Sequence, residues 1–167
     1  AVDITSNVTL TAPDGATIAN TSAVASEYSP IDARRGLQVF GPATPTIEGF
    51  TLTDWQSAFS AGASEGAWTL QDTEIRDSEL AIGGAGTPAP WTATNVTVVN
   101  TTSVLSAYQS SGDWVVRNST FRRSGDIFVG ESSGDWMIEQ TTIRNSGDHG
   151  VYLFDGQILS CEGTVFE

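Results

Sequence analysis

The residues best equipped for chemistry gather in the segment SGDHGVYLFDG, where Asp148, His149 and Asp155 fall within eight positions. Asp126 lies 22 residues earlier (148 − 126 = 22), in the same Ser-Gly-Asp context. Two carboxylates stacked at that spacing could hold Ca²⁺ or divide the acid and base roles of glycoside hydrolysis, for which their separation sets the outcome. His149, the only histidine, titrates near neutrality and could shuttle a proton. The plain alternative is a polar turn, because Ser-Gly-Asp also closes the loops at 111–113 and 133–135 and Gly-Asp steps are ordinary turn chemistry. Ser160 and Cys161 have no histidine nearby in sequence, so a nucleophilic triad lacks support. One cysteine can form neither an internal disulfide nor a CxxC motif, and Cys161 reads as a buried structural thiol.

What would position these groups is a repeat. Four tryptophans stand at 68, 91, 114 and 136, at intervals of 23, 23 and 22. The segments they open read WTLQDTEIRD, WTATNVTVVN, WVVRNSTFRR and WMIEQTTIRN. One period back, Pro45 opens PTIEGFTLTD; 22 residues forward, ILSCEGTVFE begins at Ile158. In this frame the eighth position is always apolar: Leu52, Ile75, Val98, Phe121, Ile143 and Val165. A second apolar run follows in each unit, as in Leu80 to Ile82, Ile127 to Val129 and Val151 to Phe154. The spacing alternates in twos, as on strands, and never settles into the helical 3.6. Units of about 22 residues holding two or three short strands between tight turns are what one rung of a parallel β-helix requires.

The repeat arranges side chains in columns. Trp68, Trp91, Trp114 and Trp136 could offer sugar rings a platform, but each stands two residues before an apolar interior position, so alternation favours a buried structural stack. Asp77, Asn100 and Asn145 at the tenth position could coordinate an ion; the reading favoured is an inward ladder whose amides satisfy neighbouring backbone. Ser78, Thr101, Ser124 and Ser146 form a hydroxyl column beside it. Arg76, Arg122 and Arg144 at the ninth position should line one exterior sheet. They could clamp the carboxylates of an acidic polysaccharide, or neutralise Glu74 and Glu139 on nearby rungs.

Segments such as VRNSTFRRSGD and IEQTTIRNSGDHGVYL resemble the parallel β-helix repeats of pectate-lyase-like proteins. The resemblance covers roughly Ser6 to the C-terminus and implies an all-β, right-handed, single-stranded parallel β-helix of about six or seven rungs of 22–23 residues. The same architecture serves lyases, polygalacturonases, tailspikes, adhesins and copper-loading proteins, so it does not choose a function. A lyase of that group would show a Ca²⁺-binding carboxylate cluster with an Arg or Lys base. The polygalacturonase NxD, DD and GHG set is represented only by the fragment DHG at 148–150, and a single His, Met and Cys ill suit copper loading. Residues 1–44 read as irregular opening rungs or a cap, with a loop over 19–35, and 45–167 as the regular repeats. The stop within a rung at Thr164 to Glu167 suggests further rungs, a cap or a partner chain.

The charge balance narrows partners. Seven basic residues, all arginine, face 20 acidic ones for a net charge of −13, which repels nucleic acid and anionic lipid. Absence of lysine and an acidic surface resemble the proteins of salt-in haloarchaea, and imply folding that depends on salt. No run approaches the length of a membrane span. Sequons at Asn7, Asn20, Asn95, Asn100 and Asn118 suit an exported glycoprotein, with Asn100 expected to escape modification in its inward ladder. The expectation is therefore an extracellular or cell-surface module, structural or glycan-contacting, with no cofactor and no resident metal. Self-assembly through its ends is a further possibility, and catalysis on acidic polysaccharide is the rival.

Overall fold

The computed structural model describes residues 2–19, 35–147, 149–155 and 160–167. Eighteen strands, β1 to β18 in chain order, and no helix occur among them. The chain is a parallel β-solenoid of about five turns, and each regular coil contributes one short strand to each of three faces. The first face stacks the leading half of β4 (Thr46–Thr53), β6 (Trp68–Gln71), β9 (Trp91–Thr94), β12 (Trp114–Arg117) and β15 (Trp136–Glu139). The second stacks the trailing half of β4, then β7 (Glu74–Arg76), β10 (Thr97–Val99), β13 (Thr120–Arg122), β16 (Thr142–Arg144) and β18 (Val165–Phe166). The third holds β1 (Val2–Ile4), β3 (Arg35–Gly41), β5 (Ser57–Ser64), β8 (Leu80–Gly83), β11 (Ser103–Tyr108), β14 (Ile127–Gly130) and β17 (Val151–Phe154). At the start, β2 (Thr9–Ala19) pairs with β4 along its length, with a register shift between Thr11 and Ala16. The loop expected over 19–35 lies almost wholly outside the described residues.

The interior follows from alternation. Ile47, Leu70, Ala93, Val116 and Ile138 line the first face from within, and Leu52, Ile75, Val98, Phe121 and Ile143 line the second. Trp68, Trp91, Trp114 and Trp136 are all buried. The first three stack nearly flat, with centroids 4.5 and 5.0 Å apart and planes 7° apart, while Trp136 tilts by 51° at 4.4 Å from Trp114. Their indole N–H groups have no hydrogen-bond partner. Trp55, outside the column, donates to the Ile18 carbonyl at 3.0 Å.

Corners are where the chain departs from strand geometry. Asp72, Asn95, Asn118 and Gln140 form one column of left-handed residues, and Asp54, Asp77, Asn100, Arg123 and Asn145 a second. Gln109, Glu131 and Asp155 make a third, all with φ between 47° and 65°. Asn and Asp reach this region with least strain. At most described corners the next residue turns inward, and several of these are Ser or Thr whose hydroxyls serve the backbone. Ser78, Ser119, Ser124 and Thr141 donate to the carbonyls of Arg76, Arg117, Arg122 and Glu139 at 2.8–2.9 Å. Ser119 Oγ also accepts the Val96 N–H at 3.1 Å. In the Ser-Ser-Gly-Asp loops a side chain would not fit: a Cβ on Gly134 would lie 2.2 Å from the Gly112 carbonyl oxygen.

Three expectations need correction. In the last coil Met137 pairs with Ser160 and Ile143 with Phe166, an offset of 23. Phe166 therefore occupies the eighth position, and Val165 stands beside Thr142. Adjacent apolar residues satisfy either register in sequence, and a slip of one exchanges the two faces. Ile158, assigned to the tryptophan position, lies outside the described residues. Asp77, Asn100 and Asn145 are exposed, so their ladder runs along the outside of the corner, because the left-handed turn aims these side chains at solvent. The inward position belongs to the hydroxyl column. Cys161 is exposed as well, since no described coil covers the inner column beyond it, although partial burial raises its thiol pKa.

Candidate functional site

The residues singled out for catalysis are only partly gathered. Asp126 precedes β14, and its carboxylate accepts the backbone N–H of His149 at 3.0 Å. The His149 Nδ1 lies 3.5 Å from the other Asp126 oxygen, and its ring sits 5.3 Å from that of Tyr152, tilted by 52°. The pair caps a turn between two coils on an open surface. Asp155 is exposed at the left-handed corner after β17, and Asp148 lies outside the described residues. Among the described residues no group of three or more His, Cys, Asp or Glu gathers as a metal site.

Arg76, Arg122 and Arg144 stand on the outside of the second face. Arg122 and Arg144 are lateral neighbours, but Val99 separates Arg76 from Arg122. Arg76 lies 4.0 Å from Glu74 on its own strand, and Arg144 lies 3.2 Å from Glu167. Glu139 is matched at 3.9 Å by Arg117, on the first face. Alternate corner residues are bonded to each other: the Asn95 amide donates to Asp72 at 2.5 Å and the Asn100 amide to Asp77 at 2.7 Å. The Asn95 and Gln71 amides together hold the Asp72 carboxyl below its ordinary 3.8. Asn7, Asn95, Asn100 and Asn118 are all exposed, so the reason given for sparing Asn100 from modification does not hold. Asn20 lies outside the described residues.

A shallow concavity of about 360 Å³ lies beside Arg122, Asp72 and Asn95, and a larger one lies on the outside of the third face. A groove of about 590 Å³ crosses β3, β5, β8 and β11. Its floor is a line of lateral neighbours, Gln38, Ser60, Gly83 and Ser106. Leu80 and Phe40 supply apolar wall, and Arg35 and Glu79 are its charged groups among the described residues. Arg35 Nη1 donates to Gln38 Oε1 at 3.2 Å. Tyr108, Tyr152 and Phe154 are exposed aromatics of the same sheet. Gln109 and Glu131 crown the corner beside Tyr108, and the Glu131 carboxylate, bonded to the phenol, raises the Tyr108 pKa above its ordinary 10.0.

No charged cluster in the sequence points to this groove. Its signal was the outward set between the apolar residues of the second run in each unit, where Ser60, Gly83 and Ser106 leave room. Comparison with protein-family models, with curated proteins and with solved structures finds no match to this chain.

Proposed function

We propose that this chain is an exported, noncatalytic β-solenoid module that contacts glycans through its third face, within a cell-surface, appendage or viral-surface protein of a salt-adapted organism. The groove over β3, β5, β8 and β11 carries the reading. A concavity of about 590 Å³, with apolar wall and a few polar groups, has the size and make-up of a small-ligand site. Exposed Tyr108, Tyr152 and Phe154 add flat apolar area on the same sheet, of the kind that marks interaction surfaces. Resemblance to pectate-lyase-like repeats supports a carbohydrate setting. A net charge of −13 without lysine supports salt adaptation, and exposed sequons at Asn7, Asn95 and Asn118 support export as a glycoprotein.

The rival reading, a lyase or hydrolase on acidic polysaccharide, draws on the Asp126–His149 contact. A glycan array probed in molar salt, with parallel screening of uronate polysaccharides for released unsaturated or reducing ends, separates the two. Binding without turnover is the expected result. Turnover that disappears in a folded Asp148→Asn variant would overturn the noncatalytic reading, and an array without signal would overturn glycan contact.

A further inference from the structure

Resting on that glycan-contacting reading, we propose that the groove takes a neutral, hydroxyl-rich oligosaccharide chain laid along the solenoid axis, and discriminates against uronate polymers. The line Gln38, Ser60, Gly83, Ser106 crosses four strands at one register, so it runs parallel to the axis. One strand spacing of about 4.8 Å is close to the rise of one sugar in an extended β-linked chain. Each coil thus meets one sugar. The floor is lowest at Gly83, where an added Cβ would meet Leu80 Cδ2 at 3.2 Å and Ser57 Oγ at 3.6 Å. Any side chain there fills the groove.

The polar lining selects against charge. Hydroxyls of Ser57, Ser60 and Ser106 and the amide of Gln56 both donate and accept, which suits sugar hydroxyls. Among the described residues Arg35 is the only cation lining the groove; it stands at the β3 end and already donates to Gln38. Glu79 lines the same groove. A uronate chain carries a carboxylate on every sugar, so it would present several anions to one guanidinium, beside Glu79 and on a surface of net charge −13. A neutral chain meets no such penalty.

The test is titration calorimetry at the lowest KCl concentration that keeps the protein folded, with cello- and manno-oligosaccharides from one residue to about six and oligogalacturonates of the same lengths. Affinity for at least one neutral series should rise with length to about four residues and then level, with oligogalacturonates weaker by about tenfold or more. Gly83→Phe should weaken neutral-chain binding by about tenfold or more, with the thermal midpoint measured beside it to show that the fold persists. Ser106→Tyr, at a half-buried outer position, serves the same purpose should Gly83→Phe misfold. Equal or tighter oligogalacturonate binding would overturn neutral selection yet leave glycan contact standing. Affinity independent of length would overturn the axial arrangement, and binding untouched by either variant would overturn the groove as its place. Failure of every oligosaccharide here overturns this inference, and only an empty glycan array extends that failure to the broader reading.

Discussion

At the scale of single residues, the corners carry the chemistry that alternation cannot. Asp72 shows the effect most directly, because amide donors from Asn95 and Gln71 favour its charged form and lower its pKa. A depressed folded-state pKa contributes stability that is complete above the ordinary carboxylate value and is lost as pH falls through the lower, folded value. Asn95→Gly keeps a residue suited to the left-handed corner while removing the donor. The Asp72 titration, followed by carboxyl-carbon NMR, should move up toward the ordinary value. An unchanged titration would show that the Asn95 amide does not hold the proton off. Because Asp72 is exposed, this is an effect on titration more than on overall stability.

At the scale of one coil, inward hydroxyls matter more than outward amides. Ser119 bridges two coils, donating to the Arg117 carbonyl and accepting the Val96 N–H. Thr101 occupies the equivalent place at the next corner, but its hydroxyl is buried without a partner. Removing one member of a bonded buried pair leaves the other unsatisfied, whereas removing an unpaired group relieves a penalty. Ser119→Ala should therefore cost about 1–3 kcal/mol, and Thr101→Val should be neutral or stabilising. Denaturant midpoints at constant slope measure both; equal losses would refute the distinction. The four unpartnered indoles of the tryptophan column are the same kind of liability, offset by the area their stacked rings bury.

At the scale of the whole molecule, charge and periodicity set the behaviour. Carboxylates outnumber guanidinium groups by 13 (20 − 7 = 13), and the bonded pairs at the surface are exposed and few. Self-repulsion should destabilise the solenoid at low ionic strength and be screened at molar salt, where the Debye length is about 3 Å. The thermal midpoint should rise from dilute buffer to molar KCl, and a midpoint that stays constant or falls would contradict this. At the end formed by β17 and β18, Leu153, Phe154, Val165 and Phe166 are exposed.

Much of this architecture could be read before any coordinates. Burial writes the same requirement into every coil, so Trp68, Trp91, Trp114 and Trp136 and the apolar eighth position announce the period, the strands and the inner columns. The sequence leaves the register of the last coil open by one residue, because Val165 and Phe166 are both apolar and only pairing with Thr142 and Ile143 separates them. The sequence does not say which way Asp77, Asn100 and Asn145 point, because a polar column is compatible with either side of a corner, and backbone φ chooses. The groove was invisible for a different reason. It is made by the smallness of Ser60, Gly83 and Ser106, residues 23 apart whose adjacency exists only once the coils stack. Apolar repetition is local and survives in the linear chain; a concave surface is a relation between distant positions, and only the wound structure creates it.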